Sequence, residues 1–144
     1  DKNINGSILD KKARFWLKSN KLDYPHGTGH GVGFFLNVHE GPQSISKKNN
    51  IRIVEGMVLS NEPGYYKKNK FGIRIENLIY VKKIKNKLVF DNLTHAPIDL
   101  DMLNINMLTI AEKKYISEYH KKILLVIGNK LNSNEKKWLK NLTY

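Results

Sequence analysis

The stretch HGTGHGVG, at positions 26–33, restricts the fold more than any other part of the chain. Four of its eight residues are glycine. Each glycine inside a helix costs about 0.5–1 kcal/mol relative to alanine. We therefore predict extended or turning backbone here, in which the glycines allow a second backbone or a ligand to approach closely.

The two histidines of this stretch are four residues apart. In extended backbone, alternate side chains share one face, so His26 and His30 would lie on the same side, roughly 13 Å apart at the rise of a strand. That separation is too large for both imidazoles to bind one ion. We interpret one histidine as a candidate metal ligand and the other as a more distant neighbour. The alternative is a glycine-rich turn with two solvated histidines.

Two acidic residues lie in segments with strong strand character. Glu62 ends MVLSNE, and Glu76 lies among the isoleucines of GIRIENLIY. A hairpin that turns near Asn69 would set the two carboxylates opposite each other, on the same side of the sheet. They would then repel unless a cation or a shared proton lay between them. A divalent cation suits such oxygen ligands, and Arg74, on the same face as Glu76, could hold its carboxylate. A structural Arg–Glu pair on an exposed sheet face is the alternative.

The composition limits the partners and the metal ligands. The chain has no cysteine, so a metal would have to be held by His, Asp or Glu. The net charge is +12, but 22 of the 25 basic residues are lysines spread over the whole chain. Surfaces that read nucleic acid favour arginine, so we predict no nucleic-acid partner. No window approaches the roughly 18 apolar residues of a membrane span, so we predict a cytoplasmic domain with no membrane partner.

The order of the predicted elements indicates an α+β fold. Apolar spacing predicts a first helix over residues 6–20, capped by Ser7 with Asp10 in the capping-box position. Three short segments rich in β-branched and aromatic residues follow and are predicted as strands: VGFFLNV, GMVLSNE and FGIRIENLIYV. The segment KKIKNKLVF is predicted as a further hairpin that turns near Asn86.

The last third of the chain is predicted to be helical. Thr109 and Glu112 form a capping-box pattern at the start of a helix, which Gly128 is expected to end. Ser133 is predicted to cap a short final helix.

Three motifs in this order and spacing resemble a known enzyme family: HGTGHGVGFFLNVHEGP, NEPGYY and FGIRIEN. They are similar to the second half of the catalytic domain of the Xaa-Pro aminopeptidases (aminopeptidase P), within the creatinase/prolidase/methionine aminopeptidase superfamily of pita-bread fold. The resemblance implies a curved antiparallel sheet with flanking helices over residues 1–98. Residues 99–144 are similar to the C-terminal helical extension of the longer form of these enzymes.

The resemblance also implies a metal site. His30, Glu62 and Glu76 match metal ligands, with Glu76 bridging two divalent ions, and Arg74 matches the arginine that orients the bridging carboxylate. The ions implied are Mn²⁺, with Co or Zn as alternatives. The family site has two further aspartate ligands, for which this sequence has no match. We therefore expect the chain to be a C-terminal fragment that lacks them.

The remaining implied roles concern catalysis. His26 and His39 match histidines that contact the substrate and stabilise the tetrahedral intermediate, and Glu62 would accept a proton from the attacking water. The implied activity is removal of the N-terminal residue from peptides with proline in second position, by an enzyme that forms a homodimer. The isolated chain is expected to be inactive. The alternatives are a prolidase or another pita-bread peptidase, and a non-catalytic pita-bread module that binds protein or RNA.

Overall fold

The structure, a computed structural model, describes residues 3–35 and 37–143. The chain forms two compact units, Asp1–Thr94 and His95–Tyr144. The boundary predicted between the catalytic part, residues 1–98, and the C-terminal extension, residues 99–144, remains a prediction. The first unit contains the following elements: α1 (Gly6–Ala13), α2 (Phe15–Ser19), β1 (Gly29–His30), β2 (Ser44–Ile45), β3 (Val58–Asn61), β4 (Gly64–Lys67), β5 (Phe71–Arg74), β6 (Asn77–Ile84) and β7 (Lys87–Asn92).

The strands of the first unit pair in antiparallel fashion. Strand β6 lies between β3 and β7, while β1 pairs with β2 and β4 pairs with β5. Strands β6 and β7 are joined by Lys85 and Asn86, whose φ angles of 45° and 63° belong to a tight hairpin turn. The predicted α+β class and the hairpin near Asn86 are therefore confirmed.

An aliphatic core holds the first unit together. Leu59 on β3 is opposite Ile79 on β6 in the ladder, and both side chains are buried. Burying a side chain of this size contributes about 1.5–3 kcal/mol. The core is completed by Ile45, Ile53 and Val81. Because β3 packs into this core, its end is a rigid support for residues that follow it.

The first predicted helix is wrong in its cap and in its continuity. The N-cap is Asn5, whose side chain accepts from the Ile8 amide at 3.0 Å, whereas Ser7 donates its hydroxyl to the Lys47 carbonyl. The helical segment is divided at Arg14, and both Arg14 and Asp10 are buried. Local spacing could not show this division, because the partners that bury these two charges come from later in the chain.

The predicted strand VGFFLNV is also wrong. In the described part of this segment, the Gly33 amide bonds the Asn37 carbonyl at 2.9 Å and closes a turn, and Phe35 has a φ of 52°. The Phe34 and Phe35 side chains are 87% and 84% exposed. Aromatic residues enriched in strands therefore lie here on a surface turn. The predicted strand FGIRIENLIYV is broken at residues 75 and 76, between β5 and β6.

The second unit contains two short 3₁₀ turns, Leu100–Met102 and Ile105–Met107, and two helices, α3 (Ile110–Ile127) and α4 (Ser133–Thr143). The capping box of Thr109 with Glu112 and the end at Gly128 are confirmed. The predicted cap of α4 is wrong by one residue, because the Asn132 side chain accepts from the amides of residues 134 and 135. None of the described helices is long and apolar enough to cross a bilayer.

His120 on α3 is buried in the second unit, with 1% of its surface exposed. The Ile98 amide donates to its Nε2 at 3.1 Å, and a second backbone hydrogen bond involves Thr143. Nε2 can accept only in the neutral ring. Burial lowers the pKa of His120 below its ordinary value of 6.5.

We expect the free energy of unfolding of the second unit to fall as the pH drops below about 6.5. There His120 is protonated in the unfolded chain but stays neutral in the folded one, because burial lowers its pKa. The stability contributed by the neutral ring is fully present above that pH. Hydrogen exchange of the α3 amides, corrected for intrinsic rates, should accelerate between pH 7 and pH 5. His120→Gln keeps an acceptor without a titration and should flatten the response; an unchanged pH dependence in that variant contradicts the assignment.

Candidate metal centre

Three of the predicted site residues converge in the first unit. His30, Glu62 and Glu76 each offer one ligand atom, and these atoms lie within 4.8 Å of one another. His30 ends β1, Glu62 directly follows β3, and Glu76 directly precedes β6. The three residues therefore lie at or directly beside the ends of three different strands of one folded unit.

The strand register brings the two carboxylates together. Asn61 is opposite Asn77 in the ladder of β3 with β6, and Gly64 is opposite Arg74 in the ladder of β4 with β5. Glu62 and Glu76 occupy matching positions between these two ladders, as the sequence predicted. The Glu62 amide also donates to the Thr28 carbonyl at 2.7 Å, which ties this strand to the glycine-rich segment.

A close backbone approach explains one of the glycines. A Cβ placed on Gly29 would lie 1.9 Å from the Ser60 carbonyl oxygen and 2.8 Å from its carbon. Only glycine allows β1 to come this near to β3. His30 follows directly, so the contact that demands glycine also sets the distance between His30 and Glu62.

The hydrogen bonds of His30 prepare it to bind a cation. Its Nδ1 lies 2.9 Å from the Gly31 carbonyl oxygen, which can only accept, so Nδ1 carries the proton. In the neutral ring, Nε2 then presents a lone pair, 3.4 Å from Glu62 Oε1. A metal-binding histidine commonly donates its other N–H to a backbone carbonyl in this way. Two electron-rich atoms that face each other, beside a second carboxylate, suit a divalent cation between them.

Ser60 joins two of these residues, and the sequence analysis missed it. Its side chain is fully buried, accepts from the His30 amide at 2.9 Å and donates to Glu62 Oε1 at 2.7 Å. The available signal was its spacing, because a residue two positions before Glu62 in a strand projects to the same face. The hydroxyl thus orients both the backbone of one residue and the carboxylate of the other.

Tyr66 is a second residue that the sequence analysis missed. Its hydroxyl accepts from Arg74 Nε at 2.8 Å and lies 2.8 Å from His26 Nε2. His26 Nδ1 faces the Gly27 carbonyl at 2.7 Å and must donate there, so in the neutral ring Nε2 is the acceptor and the tyrosine donates to it. The signal was again alternation, since Tyr66 is opposite Gly72, two positions before Arg74, and the two side chains are therefore diagonal neighbours on one face.

Arg74 contacts a different carboxylate from the predicted one, Glu62 instead of Glu76. Its Nη1 lies 3.4 Å from Glu62 Oε2, and its Nε bonds Tyr66, while Glu76 acts on it only through the electrostatic field. The hydrogen bond to Tyr66 raises the pKa of the guanidinium above its ordinary value. The arginine therefore steadies Glu62 rather than contacting Glu76 directly.

His39 is the last of the predicted site residues. Its ring centroid lies 4.1 Å from that of His30, and its side chain is exposed. Neither His39 nor His26 offers an atom to the three-residue cluster. All six predicted residues nevertheless belong to one neighbourhood, through contacts that run from His26 by way of Tyr66, Arg74 and Glu62 to His30.

Comparison with known proteins identifies the family. Residues 2–83 match the sequence profile of metallopeptidase family M24, and residues 86–144 match that of the C-terminal region of peptidase M24. The chain belongs to metallopeptidase family M24. The resemblance to aminopeptidase P is confirmed, and the M24 fold is the pita-bread fold that the motifs predicted.

Individual relatives agree with this assignment. The chain is 46% identical to Xaa-Pro aminopeptidase 1 of Dictyostelium discoideum, over 96% of this chain and 24% of that protein. It is 40% identical to aminopeptidase P1 of Lotus japonicus, over 96% of this chain and 23% of the relative. This M24 chain thus spans about a quarter of the length of these relatives.

Solved structures of peptidases have a similar fold. X-prolyl aminopeptidase from Caenorhabditis elegans, described as a cytosolic enzyme with a di-nuclear active site, matches with a TM-score of 0.91 and 37% identity, over 99% of this chain and 25% of that one. Prolidase from Pyrococcus furiosus matches with a TM-score of 0.55 and 32% identity, over 65% of this chain and 26% of that one.

Proposed function

We propose that the protein is a metal-dependent aminopeptidase that removes the N-terminal residue from peptides with proline in second position. The observation that carries this proposal is the convergence of His30, Glu62 and Glu76 in a chain whose relatives include Xaa-Pro aminopeptidases. Two divalent ions, Mn²⁺ by resemblance, are the proposed cofactor.

The residues of the cluster fit such a cofactor. One imidazole nitrogen and two carboxylates would hold a first ion, because three protein ligands with an open position form a catalytic site. No aspartate of residues 3–35 and 37–143 joins the cluster. We therefore infer that the two-ion site needs the further aspartates implied by the resemblance. When bound, the ions lower the pKa of water towards neutrality and polarise the substrate carbonyl.

The side chains divide the remaining work. Glu62 is placed to accept a proton from the attacking water and to pass it to the leaving nitrogen, as a general base and then acid. Ser60 and Arg74 keep the Glu62 carboxylate in one orientation. His26 and His39 border the cluster and would steady the peptide and the developing oxyanion.

The activity is tested with the full-length protein, Mn²⁺ and peptides that begin Xaa-Pro. Release of the first residue, and its absence for matched peptides with alanine in second position, supports the proposal. Elemental analysis should find bound Mn, Co or Zn. Protein that carries no metal and cleaves nothing favours the non-catalytic binding module. The 144-residue chain alone is expected to show little or no turnover, and robust turnover would overturn that expectation.

A prolidase is the second candidate, because prolidase structures also match the chain. A prolidase cleaves the dipeptide Xaa-Pro but not longer peptides. Turnover of an Xaa-Pro dipeptide and of a tetrapeptide that begins with the same two residues therefore separates the two activities. A homodimer, a cytoplasmic location and the absence of nucleic-acid and membrane partners stay predictions.

We expect Ser60→Ala to weaken Mn²⁺ binding by about 10- to 100-fold, because outer partners that orient ligands contribute that much to metal affinity. The variant leaves the His30 amide and the Glu62 carboxylate without their shared partner. Isothermal calorimetry on the full-length protein measures the change. Ser60→Thr keeps the hydroxyl and should restore most of the affinity, and Ser117→Ala, on the exposed face of α3, serves as control. Affinity within twofold of wild type for Ser60→Ala contradicts the role.

A further inference from the structure

The first unit contains a buried charged side chain that the proposed mechanism does not use. Arg14, between α1 and α2, is 2% exposed. Its Nε lies 2.9 and 2.8 Å from the two carboxylate oxygens of Asp10, which is equally buried. A buried guanidinium must be paired, and Asp10 by itself neutralises the charge.

The guanidinium makes further bonds that charge pairing does not require. Nη1 donates to Asp23 Oδ1 at 2.5 Å and to the Tyr24 carbonyl at 2.8 Å, and Nη2 donates to the His26 carbonyl. Its plane also lies over the Tyr24 ring, with 3.8 Å from Cζ to the centroid. The planar fork of arginine can reach all of these acceptors at once, whereas the single ammonium of lysine cannot.

The same network holds the other side of His26. Thr28 donates its hydroxyl to Asp10 at 2.7 Å, and the Tyr24 and Thr28 hydroxyls are 2.5 Å apart. The backbone is thus bound to the Asp10–Arg14 pair both at His26 and two residues later. The first attachment is the carbonyl of His26 itself, and the ring of the same residue contacts the Tyr66 hydroxyl.

We propose that Arg14 is a positioning residue, which fixes the backbone at His26 so that its imidazole stays against Tyr66 at the edge of the metal centre. The catalytic consequence rests on the proposed function; the positioning itself does not. Misplacement of a substrate-contacting group by about 1 Å can cost up to 100-fold in rate. His30 is attached through β1 and Ser60 instead, and the Glu62 amide bonds the carbonyl of Thr28 rather than that of His26. Arg14, which bonds the His26 carbonyl, therefore acts most directly on the substrate histidine.

The test compares Arg14→Lys with wild type in the full-length protein. Lysine keeps the charge beside Asp10 and loses the bonds to the carbonyls. We expect kcat for an Xaa-Pro peptide to fall about 10-fold or more, with KM and Mn²⁺ affinity within twofold of wild type. The ¹⁵N NMR signals of the His26 ring should shift as its bond to Tyr66 loosens. Ile53→Val, a change in the core away from the site, controls for loss of stability alone and should leave kcat and these signals unchanged.

Wild-type kcat together with unshifted His26 signals in Arg14→Lys overturns the proposal. Wild-type protein that cleaves no Xaa-Pro peptide removes the proposed function, and the His26 signals then decide the positioning role by themselves. Arg14→Lys protein that does not fold is replaced by Thr28→Val, which releases the second attachment without disturbing the charges. That variant should give the same direction of shift and a smaller fall in kcat; no effect on either counts against the proposal.

Discussion

Replacing Glu62 with glutamine should lower kcat/KM of the full-length protein for an Xaa-Pro peptide by about 10³-fold, within the range by which general acid–base groups act. Glutamine has nearly the same shape but neither the negative charge nor the basicity of the carboxylate. It also loses the charge that pairs with Arg74 and faces His30. The expected loss therefore combines a weaker metal site with a missing proton acceptor.

Two measurements separate these contributions. Calorimetry with Mn²⁺ reports the metal affinity, and turnover at saturating Mn²⁺ reports the proton transfer that remains. Glu118→Gln, an exposed carboxylate of α3 in the second unit, is the matched control and should behave as wild type. A Glu62→Gln enzyme that keeps turnover within threefold of wild type at saturating metal removes Glu62 from the proton path.

Gly29→Ala is expected to damage both folding and the metal site. The new methyl would meet the Ser60 carbonyl at 1.9 Å, which is backbone and cannot move aside as a flexible side chain would. Overpacking of this kind costs about 1–3 kcal/mol or more of folding free energy. Because β1 must then separate from β3, His30 moves away from Glu62, and Mn²⁺ affinity should fall together with stability.

Gly27→Ala is the matched control, two residues earlier in the same segment. A Cβ there meets nothing nearer than the Ile45 carbonyl oxygen at 3.5 Å, which is ordinary contact. Chemical denaturation and calorimetry of both variants measure stability and Mn²⁺ binding. Gly27→Ala should stay near wild type in both. Equal effects in the two variants would falsify the idea that the nearness of the Ser60 carbonyl requires glycine at position 29. The glycines would then serve only to make the backbone flexible.

The carboxylate pair was predictable because it depends on local rules. Alternation of side chains and a hairpin near Asn69 are enough to set residues 62 and 76 opposite each other. The observed ladders on both sides of the pair have the matching register. The capping box at Thr109 was predictable for the same reason, since its partner is three residues away.

The errors arose where distant partners outweigh local preference. Phe34 and Phe35 have strand propensity but lie on a turn, which the hydrogen bond from the Gly33 amide to the Asn37 carbonyl closes. The first helix divides at Arg14, whose side chain finds acceptors 9 to 12 residues later. Spacing placed Ser60 on the face of Glu62, but its bond to the His30 amide exists only once β1 lies beside β3.

The amino-acid sequence by itself determined the α+β class, the glycine-rich segment and the candidate ligands, since these depend on spacing along one stretch of chain. Only the tertiary structure decided that Arg74 bonds Tyr66 and forms an ion pair with Glu62, and that Arg14 holds the His26 backbone. The physical reason is that a hydrogen bond between distant residues exists only after the core has packed. Its geometry is set by side chains such as Leu59 and Ile79, which themselves carry no chemistry.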